Sequence, residues 1–245
     1  MSHTESSQAP KQTAVTLSVI VPAYNEEAFI GTILERLLAE PTDKEILVVD
    51  DGSTDRTAEI VQRFADRGVM LIRHEKNAGK GAAIHTALKL AKGRFVIIQD
   101  ADLEYNPAEF PHLLQPLLDG QADVVYGSRN LRDNPRVSKL FYWGGKVVTI
   151  VANFLYGSNL TDEATGYKAM KREILEDLNL CSRGFGFCAE VTGKLLRRKV
   201  KIVEVPISYT PRGWDQGKKI RIKHGIGAAA ILVWYRFTGK QCPIA

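Results

Sequence analysis

Three carboxylates stand close together after a short apolar run. Residues Phe95 to Ile98 are apolar and rich in β-branched side chains, which predicts a strand buried on both faces. The chain then continues into Asp100, Asp102 and Glu104. In a site without water these carboxylates would repel one another, and a divalent cation that prefers hard oxygen ligands, Mg²⁺ or Mn²⁺, would remove the repulsion. The segment therefore predicts a metal clamp for a phosphate-bearing ligand; the alternative is an acidic surface turn.

Two earlier strand ends carry polar residues as well. The apolar run from Leu17 to Val21 continues into Pro22-Ala-Tyr-Asn-Glu26, and the run from Glu45 to Val49 continues into Asp50-Asp51. Because ligands of open α/β sheets bind outside the carboxyl ends of the strands, the three strand ends together predict one polar pocket. In it, Asp51 can accept hydrogen bonds from a nucleobase on which Tyr24 packs. Taken singly, each strand end is equally consistent with surface-turn chemistry.

A glycine-rich segment opens one of the predicted helices. In Asn77-Ala-Gly-Lys-Gly-Ala-Ala83 the glycines permit a close backbone approach, and Lys80 can offset phosphate charge. The P-loop pattern G-x-x-x-x-G-K-[ST] is absent from the sequence, and the dinucleotide fingerprint G-x-G-x-x-G does not follow the first strand. Those two phosphate-binding motifs are therefore excluded.

The elements that position these residues alternate along the chain. Apolar runs predict strands at 17–21, 45–49, 69–73, 95–98, 123–126 and 200–206, and helical spacing predicts helices at about 27–38, 55–64, 77–91 and 137–156. Strand and helix alternate four times within about the first hundred residues, which predicts a parallel sheet with helices on both faces. Residues 1–14 are expected to be a disordered leader, 15–223 the α/β domain, and 224–245 a C-terminal apolar helix or tail.

Composition narrows the class of protein. The chain has 245 residues, 44% of them apolar, a net charge of +5 and a pI of about 9.0. This mildly basic balance fits phosphate ligands or an anionic membrane surface as well as nucleic acid. No run reaches the roughly 18 apolar residues that a membrane span needs. Cys181, Cys188 and Cys242 form no C-x-x-C, which favours reduced cytosolic thiols over a disulfide framework.

The predicted helix 137–156 has two interpretations. One is a core helix with two exposed lysines, Lys139 and Lys146. The other is an interfacial helix whose aromatic residues Phe141, Tyr142 and Trp143 lie at a membrane surface and guide a lipid tail. The apolar piece 226–237 is too short to span a membrane, but its aromatic and basic end is typical of a membrane interface.

A series of short motifs, in a fixed order, gives the chain its resemblance to a known family. They are Val21-Pro-Ala-Tyr-Asn-Glu26, Val49-Asp-Asp-Gly-Ser-Thr-Asp55, Asn77-Ala-Gly-Lys-Gly-Ala-Ala83, Asp100-Ala-Asp-Leu-Glu104, Gly127-Ser-Arg129, Asp162-Glu-Ala-Thr-Gly-Tyr-Lys168, Phe185-Gly-Phe-Cys-Ala-Glu190, Glu204-Val-Pro-Ile-Ser208 and Arg212 followed by Gly217-Lys-Lys-Ile220. From residue 17 to 223 the chain resembles the family 2 glycosyltransferases of the GT-A fold. Within that family it is most similar to polyprenyl-phosphate sugar synthases of the dolichol-phosphate mannose synthase type.

The resemblance implies a role for each matching position. The base and ribose of a nucleotide sugar would be held by Pro22, Tyr24, Glu26, Val49 and Asp51. The donor diphosphate would lie against Asp100, Ala101 and Asp102 with Lys80 nearby, and the metal would be bound by Asp100, Asp102 and Glu104. Phosphates of donor or acceptor would be received by Arg129, Lys168, Arg183, Arg212 and Lys218 or Lys219. The residues predicted to be catalytic are Asp102, Arg129, Arg212 and Lys218.

The fold and the reaction follow as expectations from the same resemblance. The fold would be a Rossmann-like three-layer α/β sandwich with a mostly parallel central sheet. The reaction would be Mg²⁺- or Mn²⁺-dependent transfer of a hexose, with inversion, from a GDP- or UDP-linked sugar to a polyprenyl or dolichyl phosphate. A phosphate acceptor is its own nucleophile and needs no base. A hydroxyl acceptor would need one, with Asp162 or Glu190 as candidates, and a non-catalytic nucleotide-sugar-binding module is a further alternative.

The expected partners are a nucleotide-sugar donor and a lipid phosphate, with no nucleic acid. Relatives in the family often carry C-terminal transmembrane helices, whereas no run of this sequence reaches the length of a membrane span. The chain is therefore expected in the cytoplasm, in peripheral contact with the cytoplasmic face of the membrane or bound to a membrane-anchored partner protein.

Overall fold

The computed structural model describes residues 16–135, 139–212 and 222–238, without the side chains of 139–141 and 222–223. The strands are β1 (Leu17–Ala23), β2 (Lys44–Asp50), β3 (Val69–Arg73), β4 (Phe95–Ile98), β5 (Val124–Ser128), β6 (Lys168–Lys171) and β7 (Ile202–Pro206). The α-helices are α1 (Ile30–Ala39), α2 (Thr57–Gln62), α3 (Lys80–Leu88), α4 (Phe110–Leu118), α5 (Lys139–Tyr156), α6 (Arg172–Asp177), α7 (Phe187–Arg197) and α8 (Ile222–Phe237). The predicted leader, 1–14, lies outside the described residues.

The strands form one sheet in the order β3-β2-β1-β4-β6-β5-β7. Every pairing is parallel except those of β6, which runs antiparallel to both of its neighbours, β4 and β5. The central strand β1 is apolar and almost wholly buried, as expected for a parallel strand covered on both faces. The predicted mostly parallel sheet is confirmed.

Helices cover both faces of the sheet. Leu34 of α1 and Phe110 of α4 lie in the core on one face, together with Val61 of α2. On the other face, Ile84 of α3 and Val191 of α7 lie in a second core, which α6 also joins. The two apolar cores with the sheet between them make the three-layer α/β sandwich that the sequence predicts.

Strand β6 was not predicted from the sequence. It consists of Lys-Ala-Met-Lys, so neither an apolar run nor a period-two pattern marks it. It is a strand because it pairs with β4 on one side and with β5 on the other, and both partners lie far from it in the sequence. Helix α1 also begins at Ile30 rather than at Glu27, because the backbone N–H groups of Phe29 and Ile30 both donate to the Glu26 carbonyl after a left-handed turn at Asn25.

Helices α5 and α8 pack on α7 beside the sheet. Val148, Ala152 and Leu232 are buried between them, and the Tyr156 hydroxyl donates to the Leu232 carbonyl at 2.7 Å. Large apolar side chains on the outer faces of α5 and α8 remain exposed, among them Trp143 and Phe154. Within the described ranges, no helix combines the length and the apolar character needed to cross a membrane.

The cysteines differ from the sequence-based expectation. Cys181 is disulfide-bonded, whereas Cys188 is a free, half-buried thiol. The expectation of a fully reduced set is therefore wrong for Cys181. The spacing of cysteines along a sequence does not reveal which of them the fold brings together, and Cys242 lies outside the described residues.

Candidate active site

The sheet order brings the polar strand ends together. Strands β2, β1 and β4 are neighbours and all run in the same direction, so their carboxyl ends meet at one edge of the sheet, which we call the carboxyl edge. Asp51 follows β2, Glu26 follows β1, and the Asp100–Glu104 segment follows β4. The pocket predicted from three separate strand ends therefore corresponds to one place in the fold.

The Asp100–Asp102 turn is rich in negative charge and largely buried. The Lys80 ammonium, at the first residue of α3, forms an ion pair with Asp100 Oδ1. Asp102 Oδ1 accepts from the Glu104 N–H at 3.0 Å. Burial raises the pKa of Asp102 well above its usual range, and the neighbouring charges of Asp100 and Glu104 add to the shift. Additional positive charge at this turn would therefore be favourable.

Arg212 joins two of the strand ends. Its Nη1 lies 3.1 Å from Glu26 Oε2, and its Nη2 lies 2.8 Å from Asp102 Oδ2. The side chain is only 10% exposed. Burial opposes its charge, but Asp102 and Glu26 nevertheless raise the pKa of Arg212. The guanidinium therefore stays charged and bridges the end of β1 to the end of β4.

Glu104 is occupied by the segment that leads to Arg212. Its Oε1 accepts from the Arg212 backbone N–H at 2.8 Å, and its Oε2 accepts from the Tyr209 hydroxyl at 2.9 Å. Its carbonyl oxygen accepts from the Thr210 N–H at 2.9 Å. Among the described residues, no group of three or more His, Cys, Asp or Glu side chains is placed to hold a metal ion. Glu104 is hydrogen-bonded to residues 209–212 in the structure, and its predicted role as a third metal ligand remains a prediction.

Asp100 and Asp102 still fit a divalent cation. They offer hard carboxylate oxygens two residues apart at a strand end, in a place where burial and repulsion disfavour the ionised form of Asp102. Lys80 and Arg212 now supply the neutralising charge. The residues at this turn therefore suit Mg²⁺ or Mn²⁺.

Asp51 organises the loop before α3. Its Oδ1 accepts from the Ala78 N–H at 2.9 Å and its Oδ2 from the Gly79 N–H at 2.7 Å, while His74 Nδ1 lies 2.7 Å from Oδ1. The predicted role in base recognition remains a prediction. The contacts add a role that the sequence did not suggest, which is to fix the turn that presents Lys80.

The glycines of the same loop admit protein backbone. A Cβ at Gly79 or Gly81 would overlap the backbone of Ser182 and Arg183, and the Ala82 N–H donates to the Arg183 carbonyl at 3.0 Å. The close approach predicted for these glycines is thus made by residues 182–183. The Arg183 backbone lies at the start of α3, and its side chain is exposed.

Arg129 is held by Asp162 at the end of β5. Its Nε and Nη2 each donate to one carboxylate oxygen of Asp162 at 2.7 Å, and its backbone N–H donates to Oδ2 at 3.0 Å. Asp162 is 1% exposed. Burial disfavours its ionised form, but Arg129 holds the pKa of Asp162 below its usual value. Asp162 is therefore an ionised structural partner of Arg129.

Two other predicted polar residues face the interior. The Lys168 ammonium donates to the carbonyls of Glu163 and Thr165 and is 1% exposed, so it would have to leave this position to meet a phosphate. Glu190 is fully buried and accepts from the N–H groups of Cys181 and Ser182. Both residues shape the interior around the site, and neither presents its charge to solvent.

The remaining predicted site residues lie on β1, on β2 or in the turns after the strands, or they fall outside the described residues. Pro22 and Val49 are register partners on β1 and β2, and Val49 is buried, as is Ala101. Tyr24 is half-buried after β1. Lys218 and Lys219 lie outside the described residues. Sequence reasoning did not identify Tyr209 or His74 at the site, because the contacts that give them a role join positions far apart in the chain.

Comparisons with known proteins agree with this architecture. The Glycosyl transferase family 2 profile matches residues 18–178. The chain is 34% identical over 208 residues to polyprenol monophosphomannose synthase of Mycolicibacterium smegmatis, covering 79% of this chain and 77% of that protein. It is 31% identical over 212 residues to undecaprenyl-phosphate mannosyltransferase of Micrococcus luteus, covering 81% and 85% respectively.

A solved structure shares the fold. Glucosyl-3-phosphoglycerate synthase of Mycobacterium tuberculosis, in complex with Mn²⁺, UDP and glucosyl-3-phosphoglycerate, matches with a TM-score of 0.66 and 25% identity. The match covers 90% of this chain and 79% of that chain. The likeness confirms the predicted GT-A architecture.

Proposed function

Because this chain belongs to glycosyl transferase family 2, we propose that it transfers a hexose from a UDP- or GDP-linked sugar to a polyprenyl phosphate. The nucleotide lies at the carboxyl edge, with Tyr24 and Asp51 at the base and ribose. The diphosphate lies at the Asp100–Asp102 turn, where Lys80 and Arg212 are already placed. The proposal agrees with the two relatives named above, whose names place a mannosyl group on a polyprenyl or undecaprenyl phosphate.

The burial of the two candidate bases carries the proposal of a phosphate acceptor. A hydroxyl acceptor needs a carboxylate that can take its proton, and such a base has to reach the substrate. Asp162 accepts three hydrogen bonds from Arg129, and Glu190 is buried against Cys181, Ser182 and Lys194. A phosphomonoester carries its own nucleophilic oxygen and is largely dianionic near neutral pH. The phosphate acceptor is therefore bound by the positive charge of the site and needs no catalytic base.

A divalent cation would be held by Asp100 and Asp102. The donor set of hard oxygens suits Mg²⁺ or Mn²⁺, and a structural neighbour was solved with Mn²⁺ and UDP. Bound there, the cation supplies stabilisation of the charge that develops on the leaving diphosphate. Lys80 and Arg212 act on the same charge from fixed positions, and Arg129 is held by Asp162 at the end of β5, which β6 separates from β4.

The lipid acceptor implies contact with a membrane, which we place at helices α5 and α8. On α5, Trp143, Val147, Ile150 and Phe154 follow one another at helical spacing and are all exposed. On α8, Ile226, Val233 and Phe237 do the same. A surface of this kind lies in the headgroup region of a bilayer without crossing it. Membrane contact is therefore proposed to be peripheral, through the interfacial interpretation of α5.

A transfer assay tests the proposal. The protein is incubated with UDP- and GDP-linked hexoses, Mn²⁺ or Mg²⁺, and a short-chain polyprenyl phosphate, with the free polyprenol and simple sugars as alternative acceptors. We expect glycosylation of the phosphate only, with a rate that falls on the acid side as the acceptor gains its second proton at about pH 6. Transfer to a sugar hydroxyl without transfer to the lipid phosphate would contradict the proposed acceptor. Nucleotide-sugar binding without any transfer would favour a non-catalytic module.

A further inference from the structure

His74 lies between Asp51 and helix α3. It directly follows β3, and its backbone N–H donates to the Asp50 carbonyl at 2.9 Å, which ties it to the end of β2. Its side chain is 17% exposed, and the two ring nitrogens meet different elements. Nδ1 lies 2.7 Å from Asp51 Oδ1, and Nε2 lies 2.9 Å from the hydroxyl oxygen of Thr86 on α3. The imidazole therefore joins α3 to the carboxylate that follows β2.

The contacts of Asp51 determine which nitrogen of His74 carries a hydrogen. Oδ1 accepts from the Ala78 N–H at 2.9 Å and Oδ2 from the Gly79 N–H at 2.7 Å, so both oxygens act as acceptors. The ring nitrogen beside Oδ1 then has to be a donor, which requires a hydrogen on Nδ1. In the neutral ring Nε2 is an acceptor, and the Thr86 hydroxyl can donate to it. Two hydrogen bonds in series, from Thr86 through His74 to Asp51, thus select the tautomer.

The loop between β3 and α3 is closed on Asp51 from both of its ends. His74 begins this loop and residues 78–79 end it, and all three meet the same carboxylate. The backbone N–H groups belong to the loop alone. His74, in contrast, is also attached to β2 through its N–H and to α3 through Thr86. The imidazole therefore ties the Asp51 carboxylate to regular secondary structure.

We infer that His74 is a positioning residue which, with its hydrogen on Nδ1 and Nε2 held by Thr86, orients the Asp51 carboxylate for the nucleobase and for the loop before Lys80. The inference rests on the proposed function, because Asp51 is taken to meet the base of the donor. His74 lies between two of the motifs that carry the family resemblance and belongs to neither. Its effect is on donor binding, since the base is remote from the bond that is broken.

The two amide side chains separate positioning from space filling at His74. The amide nitrogen of Asn can take the place of Nδ1, whereas the longer Gln places its amide nearer to Nε2 and fills more of the space. UDP and GDP affinities are measured by calorimetry with Mn²⁺ present. For the nucleotide that the wild type binds, we expect His74→Asn to stay within about threefold, and His74→Gln and His74→Ala to bind about tenfold more weakly, the scale of one hydrogen bond to a charged group. His112→Ala, an exposed histidine on α4, is the matched control. Affinity that followed side-chain size, with Gln nearer to wild type than Asn, would overturn the inference.

Kinetics show at which step His74 acts. We expect His74→Ala to raise the donor KM about tenfold and to leave kcat within about twofold, because contacts to the base are the same in the ground state and the transition state. His74→Asn should restore most of the loss in KM. A tenfold fall in kcat at unchanged KM would contradict a role in donor binding.

Nuclear magnetic resonance reports the position of Asp51 without metal, donor or acceptor. Nitrogen shifts give the protonated ring nitrogen of His74, and amide hydrogen exchange follows the N–H groups of Ala78 and Gly79. We expect a hydrogen on Nδ1, and exchange in His74→Gln that is severalfold faster than in wild type and in His74→Asn. A bare Nδ1, or equal exchange in the two amide variants, would overturn the inference. If wild-type protein bound no nucleotide or failed to glycosylate polyprenyl phosphate, the proposed function would be wrong, whereas these two measurements would still decide the role of His74.

Discussion

The carboxylates at the carboxyl edge are each bound by a basic side chain or by backbone N–H groups. Asp100 pairs with Lys80, Asp102 and Glu26 share Arg212, and Asp51 accepts from the loop before α3. A nucleotide diphosphate with its divalent cation carries charges of both signs. It can therefore exchange partners with these pairs, giving the cation to the carboxylates and the phosphates to Lys80 and Arg212.

The first prediction concerns Asp102. We expect Asp102→Asn to abolish transfer and to remove the thermal stabilisation that Mn²⁺ with UDP gives the wild type, because one ligand charge is lost. The fold should survive, since the residue lies at a strand end. The measurement is melting temperature with and without Mn²⁺ and UDP, and Asp119→Asn, an exposed position after α4, is the control. Near-normal turnover at ordinary metal concentration would contradict the metal assignment.

The second prediction concerns the buried pair of Asp162 and Arg129. Asp162→Asn removes one partner and leaves the guanidinium poorly compensated, which should cost about 3 kcal/mol of unfolding free energy at pH 7. Because the folded-state pKa of Asp162 is depressed, the stabilisation is present above the usual Asp value and is lost as pH falls below about 4. Urea unfolding of wild type and variant from pH 7 to pH 3 measures this difference. A difference in unfolding free energy between wild type and variant that stayed constant from pH 7 to pH 3 would show that Asp162 is not ionised in the folded protein.

At the scale of elements, the start of α3 depends on close packing with the chain before α7. Residues 181–182 are held by Glu190, whose two oxygens accept from the Cys181 and Ser182 N–H groups at 2.9 and 2.6 Å. Because the Ser182 and Arg183 carbonyls pack directly on Gly81 and Gly79, the position of Lys80 depends on Glu190. A buried carboxylate thereby affects the site without facing it.

The third prediction tests this packing. A Cβ at Gly81 would overlap the Ser182 carbonyl, so Gly81→Ala should force the two segments apart and lower both stability and nucleotide affinity. We expect the free energy of unfolding to fall by about 1–3 kcal/mol, which is the scale of overpacking in a close-packed region. Gly144→Ala on α5 is the matched control, since nothing lies within 4 Å of its added Cβ and the change should be neutral or slightly stabilising. Equal melting temperatures for the two variants would refute the predicted clash.

The sequence predicted those elements that local patterns encode. The strands before Asp51 and Asp100 are apolar runs, and helix α5 has a continuous apolar stripe, so their positions followed from periodicity. Strand β6 did not, because its four residues include two lysines and its pairing partners lie far away in the sequence. The candidate site shows the same division. The acidic turn was visible as a motif, but the attachment of Glu104 to Tyr209 and Arg212 spans more than a hundred residues and leaves no local signal.

At the scale of the whole molecule, most of the large apolar side chains that are exposed among the described residues lie on α5 and α8. These helices pack on each other through Val148, Ala152 and Leu232, so the apolar side chains of their inner faces are buried. The outer faces keep Phe154 87% and Phe237 73% exposed. Apolar surface of this extent is unusual in water and is typical of a surface with a binding partner.

The fourth prediction concerns this surface. Phe154→Glu should weaken sedimentation of the protein with anionic phospholipid vesicles by about tenfold or more, since burying a Phe side chain contributes roughly 1.5–3 kcal/mol. Transfer to a short-chain, water-soluble acceptor should be unchanged. Leu118→Glu, an exposed leucine on α4, is the control and should bind vesicles like the wild type. Equal vesicle binding by all three proteins would contradict a membrane-facing α5.

The reversed strand β6 has a consequence for synthesis. Strand β4 pairs on one side with β6, in a register that joins Phe95 to Lys171, and β5 reaches the sheet only through β6. The ribosome adds about 5–20 residues per second, so the chain between the end of β4 and the end of β6 takes roughly 4–15 s to make. During that interval β4 is an open, apolar edge, and β5, already made, can pair with it in a way the finished sheet does not contain. Until residue 171 has emerged, pairing of β4 with β5 is therefore a non-native association that competes with the native strand order.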